Sequence, residues 1–545
     1  MEKYKIRKGY TCFIANSIFG DRKRILRMLD NALDECIPFD ILCPTFLDPK
    51  GLIFYCGGGF TPNEKIPYPE GQGEMFINQY PVPREVEFSP FWAFVISDEA
   101  LKKLKPIPRF DRDIFLHADF ALTVQKKGFK IKVTNKWRVK YKDVYNIARE
   151  NKKWIKKLTN FRDKFLNKWT RFLDNRWDFP IMFHTHTGYP GGYNMHARCL
   201  LKALANKGVR IYYKFIGGCN DDEPLSNDFL IDDLRCDMGS MRMPQVTLST
   251  GLNCFSNSGK YKIGFTTTEV DGIPQDWVKV LNEMNEVWTT SEFAKQSIKR
   301  SGVKRSVLNM REGVDPNYFH PDIKPFKRNV KQKFIFLSNF AWGRRKGVDI
   351  LFKAFEQEFS RKNDVVLIIK ALPSYYGEDI KKEAKKLYYR KGQAPIIIWD
   401  ATIPPYLLGG LYTVSSCFVF PTRGEGFGIP PLEALACGVP VITTGYSAQT
   451  EYLIKNGKPL PGVEFINYKI KKFDGSDSVY YDGFNWAIPD VNHLRKLMRK
   501  VYNNYEEYKK GAMESSEYIR KEWTWDKCAD LVIKRIKKLK MAGKI

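Results

Sequence analysis

Acidic residues are scarce: 61 Asp and Glu face 89 Lys and Arg across 545 residues, for a formal net charge of +28. The basic excess suits anionic partners, such as nucleotide diphosphates, anionic lipid head groups or polyanions, and equally a generally basic surface. Long apolar runs are missing as well. No stretch of about 18 apolar residues occurs, which argues against a membrane-spanning helix. The opening M-E-K-Y-K-I-R-K-G-Y also lacks the apolar core of a secretory signal. The eleven cysteines are odd in number, scattered and without a C-x-x-C pair, so neither a disulfide framework nor a zinc site is indicated. Cys36, Cys43, Cys417 and Cys437 lie in apolar runs, as buried free thiols do. These absences together predict a cytoplasmic protein, at most peripheral to a membrane surface.

What is present is apolar mass: 43% hydrophobic and 14% aromatic residues. A chain this long exceeds one core, and about three domains is the prior. Residues 1 to 145 mix short strands and helices, and a basic helix follows over 146–178. From residue 179 onward strands and helices alternate, the pattern of parallel sheets with crossover helices. Strands are expected at Ile181–His184, Val209–Ile216, Glu286–Thr289, Phe334–Leu337, Val365–Ile369, Ile396–Trp399, Cys417–Phe420 and Val439–Thr443. A Pro- and Lys-rich segment, His320–Lys333, reads as a linker. This gives an α/β chain of two Rossmann-like halves, 179–325 and 326–505, with C-terminal helices over 506–545 returning to the first half. Ligands of such sheets bind at the carboxyl ends of the strands.

Residues 420 to 442, F-P-T-R-G-E-G-F-G-I-P-P-L-E-A-L-A-C-G-V-P-V-I, are the most informative stretch. A buried strand enters a turn carrying Gly424, Gly426 and Gly428, and Pro430 and Pro431 open a helix. Glycines let backbone amides approach a ligand, and a helix N-terminus favours anions. Glu425 in the loop and Glu433 in the helix can accept hydrogen bonds from hydroxyls. An anion cradle flanked by carboxylates suits a nucleotide-sugar.

The string resembles the E-x7-E signature of the retaining, GT-B-fold glycosyltransferases of family 4. In that family the first glutamate and its loop contact the donor sugar and the second contacts the ribose. The resemblance therefore implies those roles for Glu425, Gly426, Phe427 and Gly428, then Glu433. L-S-N-F-A-W-G-R-R-K-G-V-D (337–349) resembles the family's phosphate-holding segment, and Lys346 matches its lysine. The family's arginine just after the strand is Asn339 here, leaving Arg344 or Arg345 to substitute. Cations at a cleft mouth stabilise charge growing on a departing diphosphate, so Lys346 and Arg345 join Glu425 as catalytic candidates. G-Y-P-G-G-Y-N-M-H (188–196) resembles the first-domain glycine loop, implying donor-facing Gly191 and Gly192. T-T-T-E-V-D-G-I-P-Q-D-W (266–277) resembles an acidic segment near sugar or acceptor, making Glu269 an acceptor-side candidate. V-W-T-T-S-E-F-A (287–294) and R-E-G-V-D-P-N-Y-F-H-P (311–321) also match family segments, with Glu312 where many relatives have His. His184, His186 and His196 surround the first glycine loop; His184 and His196 are given an acceptor-side or packing role. No acid or cysteine completes a metal set, and the fold needs no catalytic metal, so no metal and no cofactor beyond the donor is expected.

Residues 40–140 resemble, more weakly, the C-terminal half of a family 2, GT-A glycosyltransferase, through 43–60, 84–88 and 110–131. Of that family's acidic pair only Asp119 survives, after Ala118, and the metal-binding half is absent. A degenerate, non-catalytic domain is implied. The helix E-N-K-K-W-I-K-K-L-T-N-F-R-D-K-F-L-N-K-W-T-R-F-L-D (150–174) puts Trp154, Leu158, Phe161, Phe165 and Phe172 on one stripe. It is expected to dock between neighbouring domains, with an anionic membrane as the alternative.

The function expected is metal-independent transfer of a hexose-type sugar from a nucleotide diphosphate to a glycan, lipid-linked or protein acceptor. No nucleophile stands out for a two-carboxylate glycosidase route. The alternatives are a GT-B epimerase or phosphorylase, or a non-catalytic polyanion-binding protein. Specific nucleic-acid binding is not expected, because RNP, zinc-finger and helix-turn-helix signatures are missing. Base recognition is assigned to the loop around Asp400–Tyr406.

Overall fold

The computed structural model describes all residues except 8, 111–112, 143–151, 189–190, 217–227, 237–241, 328–329, 373–378, 388–391 and 474–478, together with the side chains of 152–158 and 479. Tyr189 and Pro190 of the first glycine loop, and the Trp154 and Leu158 side chains, thus lie outside the described residues. The chain divides into two compact units. One comprises Met1–Phe179, Gly208–Ile211 and Leu225–Arg235; the other comprises Pro180–Lys207, Tyr212–Pro224 and Cys236–Ile545.

The first unit is built on a mixed sheet in the order Glu2–Arg7, Tyr10–Ile14, Ala93–Ser97, Ile41–Leu47, Ile131–Tyr141 and Ile18–Phe19. Ile131–Tyr141 runs parallel to Ile41–Leu47, and the flanking pairs are antiparallel. The core is aromatic: Trp92 stacks on Tyr141, and Phe91, Phe94, Phe110 and His117 pack together. The helix Ile114–Lys126 carries Asp119, which is committed to the helix Lys152–Asp174. One of its carboxylate oxygens accepts from the Trp169 indole at 2.7 Å and from Lys168 Nζ at 2.6 Å. The buried stripe of that long helix is Phe165, Trp169 and Leu173, four residues apart, while Phe161 and Phe172 are half-buried. The stripe expected through Phe172 is therefore displaced, because the indole bond turns the Trp169 face inward.

The rest of the chain, mostly in the second unit, builds two six-stranded sheets, parallel from Asp178–Thr185 to Ser306–Asn309 in the first and throughout the second. The first runs Val209–Phe215, Asp178–Thr185, Gln245–Leu248, Lys262–Phe265, Glu286–Thr289 and Ser306–Asn309. The second runs Ile396–Trp399, Val365–Leu372, Phe334–Ala341, Cys417–Phe420, Val441–Thr444 and Val463–Ile466. Its central strands are mostly apolar, as strands covered on both faces are: Phe336, Leu337, Leu367, Phe418, Val419 and Ile442 are all buried. Two successive parallel sheets match the pair of Rossmann-like halves expected. The strands Gln245–Leu248, Lys262–Phe265, Ser306–Asn309 and Val463–Ile466, of four residues each, were not foreseen.

The segment read as a loose linker is partly packed. His320 and Ile323 are buried, the Phe326 amide donates to the Gly410 carbonyl, and a side chain at Gly409 would meet the Tyr318 carbonyl. The last helices, Tyr505–Glu522 and Trp525–Met541, lie on both sheets. Ser516 bonds the Ala436 carbonyl beside the second sheet. The final helix sets Arg535 on the buried Glu286 carboxylate of the first sheet, which also accepts from the Trp288 indole at 2.7 Å. Among the described residues, no helix is long and apolar enough to cross a membrane.

Candidate active site

The strand Cys417–Phe420 delivers the chain into the 421–428 turn, and the helix Ile429–Ala436 follows with Pro430 and Pro431 in its first turn. One strand over, Phe334–Ala341 leads to a single 3-10 turn, Arg344–Lys346, and then to the helix Val348–Glu358. Gly347 lies at φ +72°, and a side chain there would overlap the Pro421 carbonyl, so the two strand-end turns are pressed together. That contact sets lysine against glutamate. Lys346 Nζ lies 2.7 and 2.9 Å from the two Glu425 oxygens. Arg345 Nη1 lies 3.0 Å from Glu425 and 2.7 Å from the Gly424 carbonyl, and the Thr422 hydroxyl donates to the same carboxylate at 2.7 Å.

Burial alone would raise the Glu425 carboxyl, but Lys346 and Arg345 beside it reverse this and hold it below the usual carboxylate range. Burial draws the Lys346 ammonium below the usual lysine range; Arg345 adds to the effect and Glu425 opposes it. Two of the three ammonium protons are used on Glu425, leaving one for a ligand. Glu425 takes three donors on one oxygen and only Lys346 on the other, which keeps acceptor capacity there.

Glu433 sits deeper. The Tyr412 hydroxyl donates to it at 2.6 Å, and Asn339 donates to that hydroxyl at 3.1 Å, so Asn339 is linked to Glu433 through a phenol. Burial raises the Glu433 carboxyl to about 7, and the Tyr412 bond offsets this only in part. Glu269, from the first half, joins the same cluster, with its carboxylate 3.5 Å from Arg345 Nη2. Of the two arginines offered in place of Asn339, it is Arg345 that enters the cluster; Arg344 is exposed. The cluster also uses a cation that the sequence did not single out: Arg423, buried, bonds both Asp349 oxygens at 2.9 and 2.7 Å and braces the turn below Arg345. An arginine inside an apolar-flanked glycine loop, with an Asp at the start of the helix Val348–Glu358 that follows the neighbouring strand, was the available signal.

Several expected site residues have other work. Gly424 and Gly426 were read as openings for a ligand, but side chains there would overlap the Glu269 carbonyl and Thr267 of the first half. Their smallness admits the Glu269 carbonyl and the Thr267 side chain, and Thr290 donates to the Gly426 carbonyl at 2.7 Å. Gly428 is a glycine for its backbone, at φ +85°. The Phe427 ring is buried against Tyr452 and Trp523, leaving only its main chain for a donor. Gly191 and Gly192 start the helix that carries Tyr193, whose hydroxyl lies 3.4 Å from the Thr267 amide, so the first glycine loop adjoins the segment facing Gly426. His196 takes the packing alternative: enclosed by Phe265 and Trp525, it bonds Glu312 at 3.0 Å. His184 is half-buried, 3.2 Å from the Ser256 hydroxyl, and burial lowers its imidazole below the usual range. Asp400, in the loop assigned to the base, pairs with Lys381 at 3.1 Å. No group of three or more acids, histidines or cysteines able to hold a metal occurs among the described residues.

Residues 320–474 match the family model described as "Glycosyl transferases group 1". Among curated proteins, the chain is similar to a probable sucrose-phosphate synthase of Thermosipho melanesiensis, 20% identical over 236 residues, covering 43% of this chain and 48% of that protein. It is also similar to a D-inositol 3-phosphate glycosyltransferase of an Arthrobacter species, 31% identical over 137 residues, covering 24% and 32%. The chain thus spans about half or less of the length of these relatives. Among solved structures, HepE of Anabaena in complex with UDP and glucose aligns at 12% identity and TM-score 0.49, over 66% of this chain and 100% of that one. A sucrose-phosphate synthase of Thermosynechococcus elongatus aligns at 15% and 0.49, over 67% and 100%.

Proposed function

We propose that the protein is a glycosyltransferase that moves a hexose-type sugar, with retention, from a nucleoside diphosphate to an acceptor hydroxyl. The observation that carries this reading is the Lys346–Glu425–Arg345 cluster at the ends of adjacent parallel strands. Lys346 and Arg345 would meet the diphosphate. The free side of Glu425 would accept from sugar hydroxyls, and Glu433 from the ribose. As the bond from the anomeric carbon to the phosphate oxygen breaks, negative charge gathers on the diphosphate beside both cations. The acceptor oxygen attacks from the same face, forming the new bond to the anomeric carbon, and its proton passes to the departing phosphate oxygen. Relatives named for sucrose-phosphate and mannosyl chemistry support a hexosyl donor. The first unit is read as a non-catalytic module, since Asp119 is spent on Trp169 and Lys168.

The test is a panel of nucleotide-sugars incubated with the full chain, scored for release of nucleoside diphosphate. Release that disappears in Lys346→Ala and Glu425→Ala supports the reading. Release that survives both substitutions would remove it.

A further inference from the structure

At the end of the segment matched to the family, and running past it, the chain makes a hairpin whose purpose the sequence does not disclose. Tyr468–Lys472 pairs antiparallel with Asn485–Pro489, with Lys472 opposite Asn485. The hairpin is fastened to both sheets' turns. On the side of the second half, the Ala487 amide donates to the Arg423 carbonyl at 2.9 Å, and the Trp486 ring lies 5.2 Å from the Arg423 guanidinium. On the side of the first half, Asn485 donates from its amide and its side chain to the two Asp271 oxygens, at 2.7 and 2.8 Å. Phe484 fills the space that a side chain at Gly272 would need, and Tyr480 packs 5.5 Å from the Trp277 ring. A buried cluster of Val270, Phe473 and Trp486 seals the joint.

This fastening brings Tyr481 to the candidate site. Its hydroxyl donates to Glu269 at 2.8 Å. The other Glu269 oxygen faces Arg345 at 3.5 Å, and Arg345 holds Glu425 at 3.0 Å. The groups form one chain, Tyr481–Glu269–Arg345–Glu425–Lys346. The phenol orients the Glu269 carboxylate so that its approach to Arg345, at 3.5 Å, is looser than that of Glu425, at 3.0 Å. Freed from Tyr481, Glu269 could take the guanidinium with both oxygens, the geometry this pair prefers, and draw Arg345 off Glu425.

We infer that Tyr481, held beside the paired strands Tyr468–Lys472 and Asn485–Pro489, is a positioning residue of the transfer site: it restrains Glu269 so that Arg345 stays aimed at the donor diphosphate. The inference rests on the reading of the site given under Proposed function. Arg345 acts on charge that grows as the sugar leaves, so a misplaced Arg345 weakens the transition state more than donor binding. Tyr481→Phe removes one hydroxyl and leaves the ring in place.

The experiment measures donor turnover of the full chain, with the nucleotide-sugar the panel identifies, for wild type, Tyr481→Phe, Glu269→Ala and the double variant. Calorimetric titration with the matching nucleoside diphosphate gives the competent fraction of each preparation. Tyr481→Phe is expected to lower kcat about tenfold, the scale of one hydrogen bond to a charged group, with donor KM and diphosphate stoichiometry unchanged. In the Glu269→Ala background the same substitution is expected to do nothing further, since the restrained group is gone. An unchanged kcat in Tyr481→Phe, or an equal loss in both backgrounds, overturns the inference while leaving the transferase reading intact. A wild-type chain that neither binds a nucleoside diphosphate nor turns over any donor overturns both.

Discussion

Replacing Glu433 by Gln isolates the cost of a buried carboxylate. In the native protein the Glu433 carboxyl lies near 7 instead of its ordinary 4.5, because burial disfavours the charge. A raised acid binds its proton more tightly folded than unfolded, so native stability is whole at low pH. It falls as pH rises from about 4.5, and the loss stops growing above about 7, once the folded form ionises too. The full loss is about 3 kcal/mol at pH 8 and under about 1 kcal/mol at pH 5. Glutamine keeps an oxygen to accept from Tyr412, which now donates at 2.6 Å, and carries no charge to bury. Amide exchange in the helix Ile429–Ala436 is the suitable assay, since it reads the opening of that element in the intact chain. After correction for intrinsic rates, the Gln variant should exchange about 100-fold more slowly than wild type at pH 8, where the opening costs about 3 kcal/mol more. At pH 5 the two should differ less than about fivefold. A difference of the same size at both pH values would refute the argument, because it would mean that charge burial is not what separates the two proteins.

Lys346→Ala leaves Glu425 buried without its closest cation and should cost about 3–5 kcal/mol, read by thermal unfolding, besides abolishing donor turnover. Gly426→Ala should destabilise the chain, because the added carbon overlaps Thr267; the double variant with Thr267→Ala should recover part of the melting temperature, which an effect on ligand contact alone would not. Arg535→Ala strips the buried Glu286 of its ion pair and should lower the melting temperature, while Glu286→Gln in that background should restore part of it. Asp119→Asn should leave donor turnover within about twofold of wild type if the first unit is non-catalytic; a loss of about 100-fold or more, the size expected when a general base is removed, would reverse that assignment.

Much of the second unit was readable from the chain. Apolar runs such as the β-branched Val365–Leu372 and the phenylalanine-rich Phe334–Ala341 declare buried parallel strands, and their ends were foreseen within a few residues. Lys346, Arg345, Glu425 and Glu433 were legible because each belongs to a short string whose spacing sets turn, cap and charge together. Tyr481 was not. It lies 212 residues from Glu269 in a polar stretch without period, and only the hairpin's closure brings the two together. His196 was left open between an acceptor-side and a packing role, because spacing alone does not show that its face of the helix turns into Phe265 and Trp525.

The glycines of 424–428 show why a motif can be right for a reason other than the one that draws attention to it. A glycine-rich turn ahead of a helix invites the thought of phosphate amides. Here two of the three glycines are needed because the Glu269 carbonyl and the Thr267 side chain of the first half occupy the places where side chains would stand. The same closeness puts the Glu269 carbonyl against Gly424 and its carboxylate within reach of Arg345. Small residues therefore serve the charges indirectly: they let two sheets meet closely enough for an acid of one to share a guanidinium with an acid of the other. A larger residue at 424 would separate Glu269 from Arg345 before it touched any ligand. Loss of activity in a glycine variant would accordingly report the meeting of the halves, and only a variant such as Tyr481→Phe, which alters the charge chain without moving the backbone, can report on the chemistry.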